Sequence, residues 1–220
     1  MTAWSYSSLD AFETCPLRWK LTKLTKQVVE PQTEATLHGN EVHKALENHL
    51  KNEQALPEKY RNYIPIVQRC SQAPGQKLIE WKFALNKNFR PTTYFAKDVW
   101  CRGVIDFGVI NGNVATVLDW KTGKPKTDSD QLKLFAGAAF AAYPQLQTVK
   151  TGFVWLAHNR LDKEKYSRED VPEIWGVFLP KVQRLEAAIA KDQFPPRPSG
   201  LCRKHCPVPH SMCEFSGRDS

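Results

Sequence analysis

Two aspartates and a lysine stand at spacings that could bring them together in a fold. Asp119 and Lys121 are two residues apart in an apolar run, and Asp106 lies thirteen residues before Asp119. Residues two apart on a β-strand point to the same face, and the intervening Asn111-Gly112 pair is a strong hairpin signal. Such a hairpin would place Asp106 beside Asp119. Three charged groups among apolar strands are costly to bury unless a cation and a substrate neutralise them.

This trio would suit metal-assisted phosphate chemistry. Two carboxylates supply the oxygen ligands that hard divalent cations such as Mg²⁺ and Mn²⁺ prefer. The cation would polarise a phosphate and lower the pKa of a bound water, while Lys121 could stabilise the phosphorane or position the water. The alternative is an ordinary hairpin with exposed charges at its end, and a bare Asp-x-Lys is much more often that. The surrounding sequence has to decide between the two.

Composition limits the class of protein. The chain has 220 residues, is 41% hydrophobic and carries a net charge of +8 with a pI of about 9.2. Such a charge favours a polyanionic partner such as nucleic acid, although a well-hydrated surface explains it equally well. No uncharged apolar run reaches membrane-spanning length, and the N-terminus lacks the pattern of a signal peptide. We therefore expect a cytoplasmic protein with no membrane partner.

Hydrophobic periodicity predicts an α/β fold with a mixed sheet flanked by helices. Helices are expected at Ser5–Thr14, Glu34–Leu50, Tyr60–Cys70, Ser129–Ala142 and Lys181–Gln193, and strands at Lys77–Leu85, Asp98–Ile110, Asn113–Lys121, Lys150–Ala157 and Ile174–Leu179. The length suits one domain over residues 1–220. It would consist of a helical part (1–75), a catalytic sheet core (76–180), and a C-terminal helix with a cysteine-rich tail (181–220).

Several ordered motifs resemble those of one nuclease group. They are Ser8-Leu9-x-x-Phe12-x-x-Cys15-Pro16-x-x-Trp19, Gly39-x-x-Val42-His43-x-x-Leu46-Glu47, Gly103-Val104-Ile105-Asp106, Leu118-Asp119-Trp120-Lys121-Thr122-Gly123, and Gln131 early in the next helix. Together they resemble the RecB-type branch of the PD-(D/E)XK nuclease superfamily. Within it they are most similar to the iron–sulfur exonucleases, such as the AddB nuclease domain and its CRISPR-associated and phage-encoded relatives. The resemblance covers nearly the whole chain.

The resemblance implies a restriction-endonuclease-like core and assigns roles to individual residues. The catalytic residues would be Asp106, Asp119, Lys121 and Gln131, and the ligands of Mg²⁺ or Mn²⁺ would be His43, Asp106, Asp119 and Trp120. An acidic residue recurs in the family at the position of Glu80. Glu80 is therefore either an accessory ligand or part of a solvated strand face. The sequence departs from the family at Phe135, where a tyrosine is usual, so a hydroxyl that could touch DNA phosphate is missing.

Six cysteines fall into two groups. Cys202, Cys206 and Cys213 crowd the end of the chain, and Cys15 lies near its start. The resemblance implies that these four bind a 4Fe–4S cluster that joins the two termini. Their spacing is slightly longer than the commoner pattern and histidines lie nearby, so structural zinc remains an alternative. The remaining pair, Cys70 and Cys101, stand singly in apolar surroundings and are expected to be buried.

The resulting functional hypothesis is a metal-dependent DNA exonuclease. It would act from DNA ends, prefer single strands, and serve recombination, repair or phage DNA processing in a bacterial or phage-infected cell. Four tryptophans could stack on bases or belong to the core: Trp4, Trp19, Trp100 and Trp120. The chain lacks a helicase P-loop, so unwinding would need a helicase or recombination partner. The alternatives are a non-catalytic DNA-binding module and a structure-specific endonuclease of the same fold.

Overall fold

The computed structural model describes residues 3–125 and 130–217. Its sheet has five strands in the order β1-β2-β3-β4-β5. These are β1 (Gln76–Leu85), β2 (Cys101–Asn111), β3 (Val114–Lys121), β4 (Thr148–Trp155) and β5 (Arg160–Ser167). The α-helices of the described residues are α1 (Tyr6–Thr14), α2 (Pro16–Trp19), α3 (Glu34–Asn52), α4 (Ile64–Gln72), α5 (Asp130–Ala142), α6 (Val171–Lys191) and α7 (Cys202–His205). A π-helical turn at Lys20–Leu24 and short 3₁₀ segments complete the helical part.

The strand directions confirm the predicted mixed sheet. The pairs β1–β2, β2–β3 and β4–β5 are antiparallel, whereas β3 and β4 are parallel. A parallel pair needs a crossover connection, and α5 lies in that connection. The hairpin between β2 and β3 is closed by Gly112 and Asn113, with Gly112 at a φ of 59° that glycine adopts without strain. The predicted start of α5, Ser129, lies outside the described residues.

Helices pack on both faces of the sheet. One core cluster joins Val42 and Leu46 of α3 and Val67 of α4 to Phe107 and Trp120 of the sheet, all of them at most 2% exposed. On the α5 side, the ring of Phe135 lies 6.3 Å from that of Phe83, and the ring of Tyr143 lies 5.4 Å from that of Trp81. The predicted α/β core with flanking helices is therefore confirmed.

The strand prediction for Ile174–Leu179 is wrong. Those residues belong to α6, a continuous helix that contains Pro180. Its buried positions Ile174, Phe178 and Val182 follow helical rather than strand spacing. The fifth strand is instead β5, which was not predicted. As the edge strand of the sheet it alternates exposed lysines with partly buried polar residues, a pattern typical of edges protected by charge.

The chain divides into two compact units. The first contains the sheet and runs from Thr33 to Gly176, and the second combines Trp4–Gln32 with the chain from Val177 onward. The division of residues 1–220 into three parts of one nuclease domain stays a prediction. Among the described residues, no helix combines the length and the apolar character that a bilayer crossing requires.

Candidate metal centre

The strands of the hairpin separate where the candidate residues begin. The β2–β3 ladder ends at the pair Phe107–Leu118. Beyond it, the Trp120 N–H donates a 2.7 Å hydrogen bond to Asp106 Oδ2. A side-chain carboxylate therefore satisfies a buried amide that a backbone carbonyl would satisfy in a continued ladder. This bond holds Asp106 beside the strand that carries Asp119, as the hairpin argument predicts.

His43 reaches the same carboxylate from α3. Its Nδ1 lies 3.1 Å from Asp106 Oδ1, and Asp106 is only 8% exposed. Burial opposes protonation of His43, but the hydrogen bond and negative charge of Asp106 outweigh it and raise the pKa of His43, aided by Asp119 and the Trp120 backbone. The indole of Trp120 lies in the core cluster. Trp120 can therefore serve the site only through its backbone.

Glu80 of β1 completes a compact group of acidic and imidazole ligands. One ligand atom from each of His43, Glu80 and Asp106 lies within 4.8 Å of the others. The neighbouring residues Ile79 and Trp81 pair with β2, but the register passes over Glu80, whose φ is 50°. Backbone strain of this kind persists where the surrounding structure enforces it, and it clusters at functional sites. Burial, followed by the charges of Asp106 and Glu47, raises the pKa of Glu80.

Asp119, Lys121 and Gln131 form a second, adjoining network. Gln131 Nε2 donates to Asp119 Oδ1 at 3.1 Å, and Gln131 Oε1 accepts from Lys121 Nζ at 2.9 Å. Lys121 Nζ also lies 2.7 Å from Asp119 Oδ2. That contact is an ion pair between a buried carboxylate oxygen and a partly exposed ammonium. Burial and the charge of Asp106 raise the pKa of Asp119 to about 6, although Lys121 and His43 oppose the rise.

A cleft of about 490 Å³ opens over the metal-ligand group. His43, Glu80 and Asp106 line it together with Glu47 and Thr122. Glu47 is not among the residues to which the sequence assigns a role. The signal was nevertheless present, because Glu47 follows His43 by four residues on one helix and therefore lies on the same helix face.

Every predicted catalytic or divalent-metal residue lies in these two networks. His43, Asp106 and the Trp120 backbone belong to the first, and Asp119, Lys121 and Gln131 to the second. The sheet brings them together from α3, β2, β3 and α5. Their roles in catalysis stay a prediction, which the geometry makes specific.

The four cysteines predicted to bind a cluster line one small cavity: Cys15, Cys202, Cys206 and Cys213. All four are free and partly exposed. The Arg197 N–H donates to the sulfur of Cys15 at 3.5 Å, and the Ser199 N–H donates to that of Cys202 at 3.2 Å. Burial, together with nearby Cys202 and Cys15, raises the pKa of Cys206 against the opposing effects of Val208 and Arg18. The other pair, Cys70 and Cys101, are buried as predicted.

The tryptophans do not provide a stacking surface. Trp4, Trp19, Trp100 and Trp120 are all at most 4% exposed, so the hypothesis that they stack on bases is wrong and their core alternative is right. Phe135 is also buried, at 2% exposed. The position where the family usually has a tyrosine therefore serves the core in this chain.

A family model and one solved structure with a TM-score above 0.5 agree with this architecture. Residues 3–214 match the model of the PD-(D/E)XK nuclease superfamily. The crystal structure of a "putative exonuclease" from Eubacterium rectale is similar with a TM-score of 0.55 and 12% sequence identity, over 91% of this chain and 85% of that chain. The crystal structure of SSO0001 has a TM-score of 0.48 at 16% identity, over 97% of this chain and 86% of that chain. Among curated proteins, no significant match is found.

Proposed function

Because the chain belongs to the PD-(D/E)XK nuclease superfamily, we propose that it is a metal-dependent deoxyribonuclease that degrades DNA from its ends. The observation that carries this proposal is the convergence of His43, Asp106 and Asp119 with Lys121 where β2 and β3 separate. A degenerate, purely DNA-binding relative would not need to keep these groups in contact. The name of the Eubacterium rectale protein agrees with an exonuclease.

The residues fit a hard divalent cation. Glu80, Asp106 and Asp119 offer carboxylate oxygens and His43 an imidazole nitrogen, the donor set that suits Mg²⁺ or Mn²⁺. Burial and the charge of Asp106 raise the pKa of Asp119, although Lys121 Nζ lies 2.7 Å from its Oδ2. Lys121 therefore does not fully balance the two carboxylates, and a bound cation would relieve their repulsion. When bound, the cation would polarise the scissile phosphate and acidify a water molecule.

The surrounding residues have separate tasks in this proposal. Lys121 stabilises the negative charge that develops on the phosphate in the transition state. Gln131 is a positioning residue, since it bonds both Lys121 and Asp119 and fixes the ammonium relative to the carboxylate. The Trp120 amide orients Asp106. Each of these groups is held by a neighbour from the sheet or from α5, so little reorganisation is needed on substrate binding.

We further propose that Cys15, Cys202, Cys206 and Cys213 hold a structural 4Fe–4S cluster. Their common cavity supports a shared metal site. The resemblance to the iron–sulfur exonucleases favours the cluster, and structural zinc is the alternative. A site of this kind contributes folding energy rather than catalysis.

The proposed substrate is single-stranded DNA or DNA with a free end. A net charge of +8 favours phosphate contacts that do not depend on base sequence. In this proposal the whole chain works as one nuclease domain in the cytoplasm of a bacterial or phage-infected cell. Its pathway would be recombination, repair or phage DNA processing, with a helicase or recombination protein opening duplexes.

The test compares linear and covalently closed single-stranded DNA in the presence of Mn²⁺. An exonuclease shortens the end-labelled linear strand progressively and leaves the circle intact under the same conditions. Linearisation of the circle at the rate at which linear DNA is cut would instead identify an endonuclease. Binding of both forms without any cleavage would identify a non-catalytic module.

A further inference from the structure

Two cations on β1 and β2 lie around aromatic rings of the connection between these strands. Lys82 Nζ lies 5.9 Å and Arg102 Cζ 5.2 Å from the ring centroid of Tyr94, both over the ring. Arg102 also donates to the Tyr94 carbonyl at 3.4 Å. The ring of Phe95 lies edge-on to that of Tyr94, with centroids 5.1 Å apart, and Phe95 is 82% exposed. A phenylalanine this exposed gains nothing from the core and suits a binding surface.

These residues continue directly from the candidate metal centre. Lys82 pairs with Val104, which lines the cleft beside Asp106. Because opposite residues in an antiparallel pair share a face, and residues two apart on a strand also do, Lys82, Val104 and Arg102 lie on one face. At about 3.3 Å per residue, Val104 and Arg102 stand about 7 and 13 Å along β2 from Asp106. The cations thus extend from the cleft toward the exposed ring.

The connection is held in place. The Thr92 N–H donates to the Ala84 carbonyl at 3.0 Å, and Pro91 bridges to Leu85. The ring of Phe89 lies 4.6 Å from that of Trp175. A surface fixed before binding loses little conformational entropy when a ligand arrives.

The charge of this segment is strongly one-sided. Residues 82–102 include five basic side chains and one acidic side chain, Asp98. Asp98 accepts a hydrogen bond from the Thr92 hydroxyl at 2.9 Å. Surfaces that bind single-stranded nucleic acid combine a line of positive charges along the backbone with exposed aromatic rings on which bases stack. Both components are present here.

We infer that Lys82, Tyr94, Phe95 and Arg102, here called the aromatic-basic strip, bind the single-stranded part of the substrate next to the cleaved bond. Phe95 stacks on an unpaired base, and Lys82 and Arg102 contact backbone phosphates. Tyr94 packs against both cations and so positions them. A paired base inside a duplex presents no free face, and the strip therefore favours single strands. This inference rests on the proposed function and adds the subsite that selects the strand.

The first test measures binding of fluorescent oligothymidylate by anisotropy, without added divalent cation so that no cleavage occurs. Phe95→Leu keeps apolar volume but removes the stacking face, and it should weaken binding about tenfold. Phe95→Trp should bind as wild type does or more tightly. Leu161→Ala is the control, because Leu161 is 39% exposed on β5, at the opposite edge of the sheet from β1. Equal binding by Phe95→Leu and wild type would overturn the stacking role.

The cations are tested by salt dependence. Lys82→Gln and Arg102→Gln should each reduce the steepness of log Kd against log salt by about 0.7, the value for one single-strand phosphate contact. Arg61→Gln removes an equally charged side chain, 67% exposed on another element, and should leave the slope unchanged. Lys82 is the decisive position if Arg102→Gln loosens the connection. An unchanged slope in Lys82→Gln overturns the phosphate contacts.

Steady-state cleavage separates this inference from the proposed function. In Phe95→Leu, KM for single-stranded DNA should rise about tenfold with kcat nearly unchanged, since the strip does not touch the reacting atoms. A series of substrates carries an abasic site at successive positions along the strand. The difference in KM between wild type and Phe95→Leu should disappear at one position near the cut, because the base that stacks on Phe95 is then missing. Absence of cleavage by the wild type contradicts the proposed function. Normal cleavage with an unchanged KM in Phe95→Leu contradicts only the strip.

Discussion

The candidate metal centre and the four-cysteine cavity are built on opposite principles. The first lies on paired strands and two helices, and its groups bond to one another: His43 to Asp106, and Gln131 to Asp119 and Lys121. The second lies mainly on chain ends with short helices, and two of its sulfurs accept hydrogen bonds from backbone N–H groups. In the first region, the folded sheet and helices fix the positions of the ligands. In the second region, a bound cluster would stabilise the fold.

This difference separates chemistry from stability. A site whose residues are fixed by the sheet should lose activity on substitution while the protein stays folded. A site whose ligands come from distant parts of the chain should lose stability first, because metal binding there is coupled to folding. Substitutions in the two regions test whether activity and stability separate in this way.

The largest effect is expected from Lys121→Ala. Removing a cation aimed at the developing charge of the phosphate should lower kcat about a hundredfold to a thousandfold. The melting temperature should change little, because Lys121 is partly exposed at the end of β3. Lys124→Ala is the matched control, as Lys124 is an exposed lysine three residues further on. Full cleavage by a folded Lys121→Ala protein would remove this residue from the mechanism.

A large effect of the opposite kind is expected from Cys202→Ser. Loss of one cluster ligand should lower the melting temperature on the order of 10 °C and reduce iron and sulfide in anaerobically purified protein. The residual folded fraction should keep its kcat. Cys70→Ala, at a buried cysteine that is not among those lining the cavity, should retain the iron. If the wild type contains stoichiometric zinc and no sulfide, the site binds zinc rather than an iron–sulfur cluster. Its structural role would then be unchanged.

Gln131→Ala should have an intermediate effect. It removes one hydrogen bond to Lys121 and one to Asp119, so the ammonium loses its fixed position but not its charge. We expect kcat to fall about tenfold, as for the loss of about one hydrogen bond to a charged group. Gln131→Glu, which keeps an acceptor for Lys121 but places a negative charge beside Asp119, should be worse than Gln131→Ala. The opposite order would show that Gln131 does not act through these two contacts.

The smallest effect concerns the pH dependence of stability at Glu30. Burial alone would raise the pKa of Glu30, but hydrogen bonds from Lys23 and Arg18 outweigh it and lower the pKa. A lowered pKa in the folded state gives stability that is present above the unfolded value and is lost as pH falls through the folded value. Glu30→Gln should therefore cost less than about 1 kcal/mol at pH 7. Chemical denaturation should show this difference shrinking as pH falls below the ordinary glutamate pKa of 4.5, with cleavage at pH 7 unchanged.

The sequence predicted the site better than some elements around it. Asp106, Asp119 and Lys121 could be placed because hairpin pairing and strand alternation are local rules. Glu80 could not be placed, since its position depends on a positive φ and an interrupted pairing that no local pattern specifies. The exposure of Phe95 could not be predicted either, because it depends on the tertiary packing of the β1–β2 connection.

Two elements show why the rest could not be predicted. Pro180 normally ends a helix, so the apolar run before it resembled a strand, yet α6 continues through it. The polar strand β5 carried no apolar alternation, because an edge strand receives its pairing from β4 rather than from burial of its own side chains. In both cases tertiary context outweighed local preference.

The most direct test of the central claim is cleavage of end-labelled linear single-stranded DNA by Asp106→Asn across a Mn²⁺ titration. Asparagine can still accept the Trp120 N–H bond, so the fold should persist while the negative charge that would bind the cation is lost. We predict progressive shortening by the wild type with Mn²⁺, none with chelator, and none by Asp106→Asn at any Mn²⁺ concentration. Cleavage by the wild type in chelator, or by Asp106→Asn at the wild-type rate, would contradict the proposed metal centre.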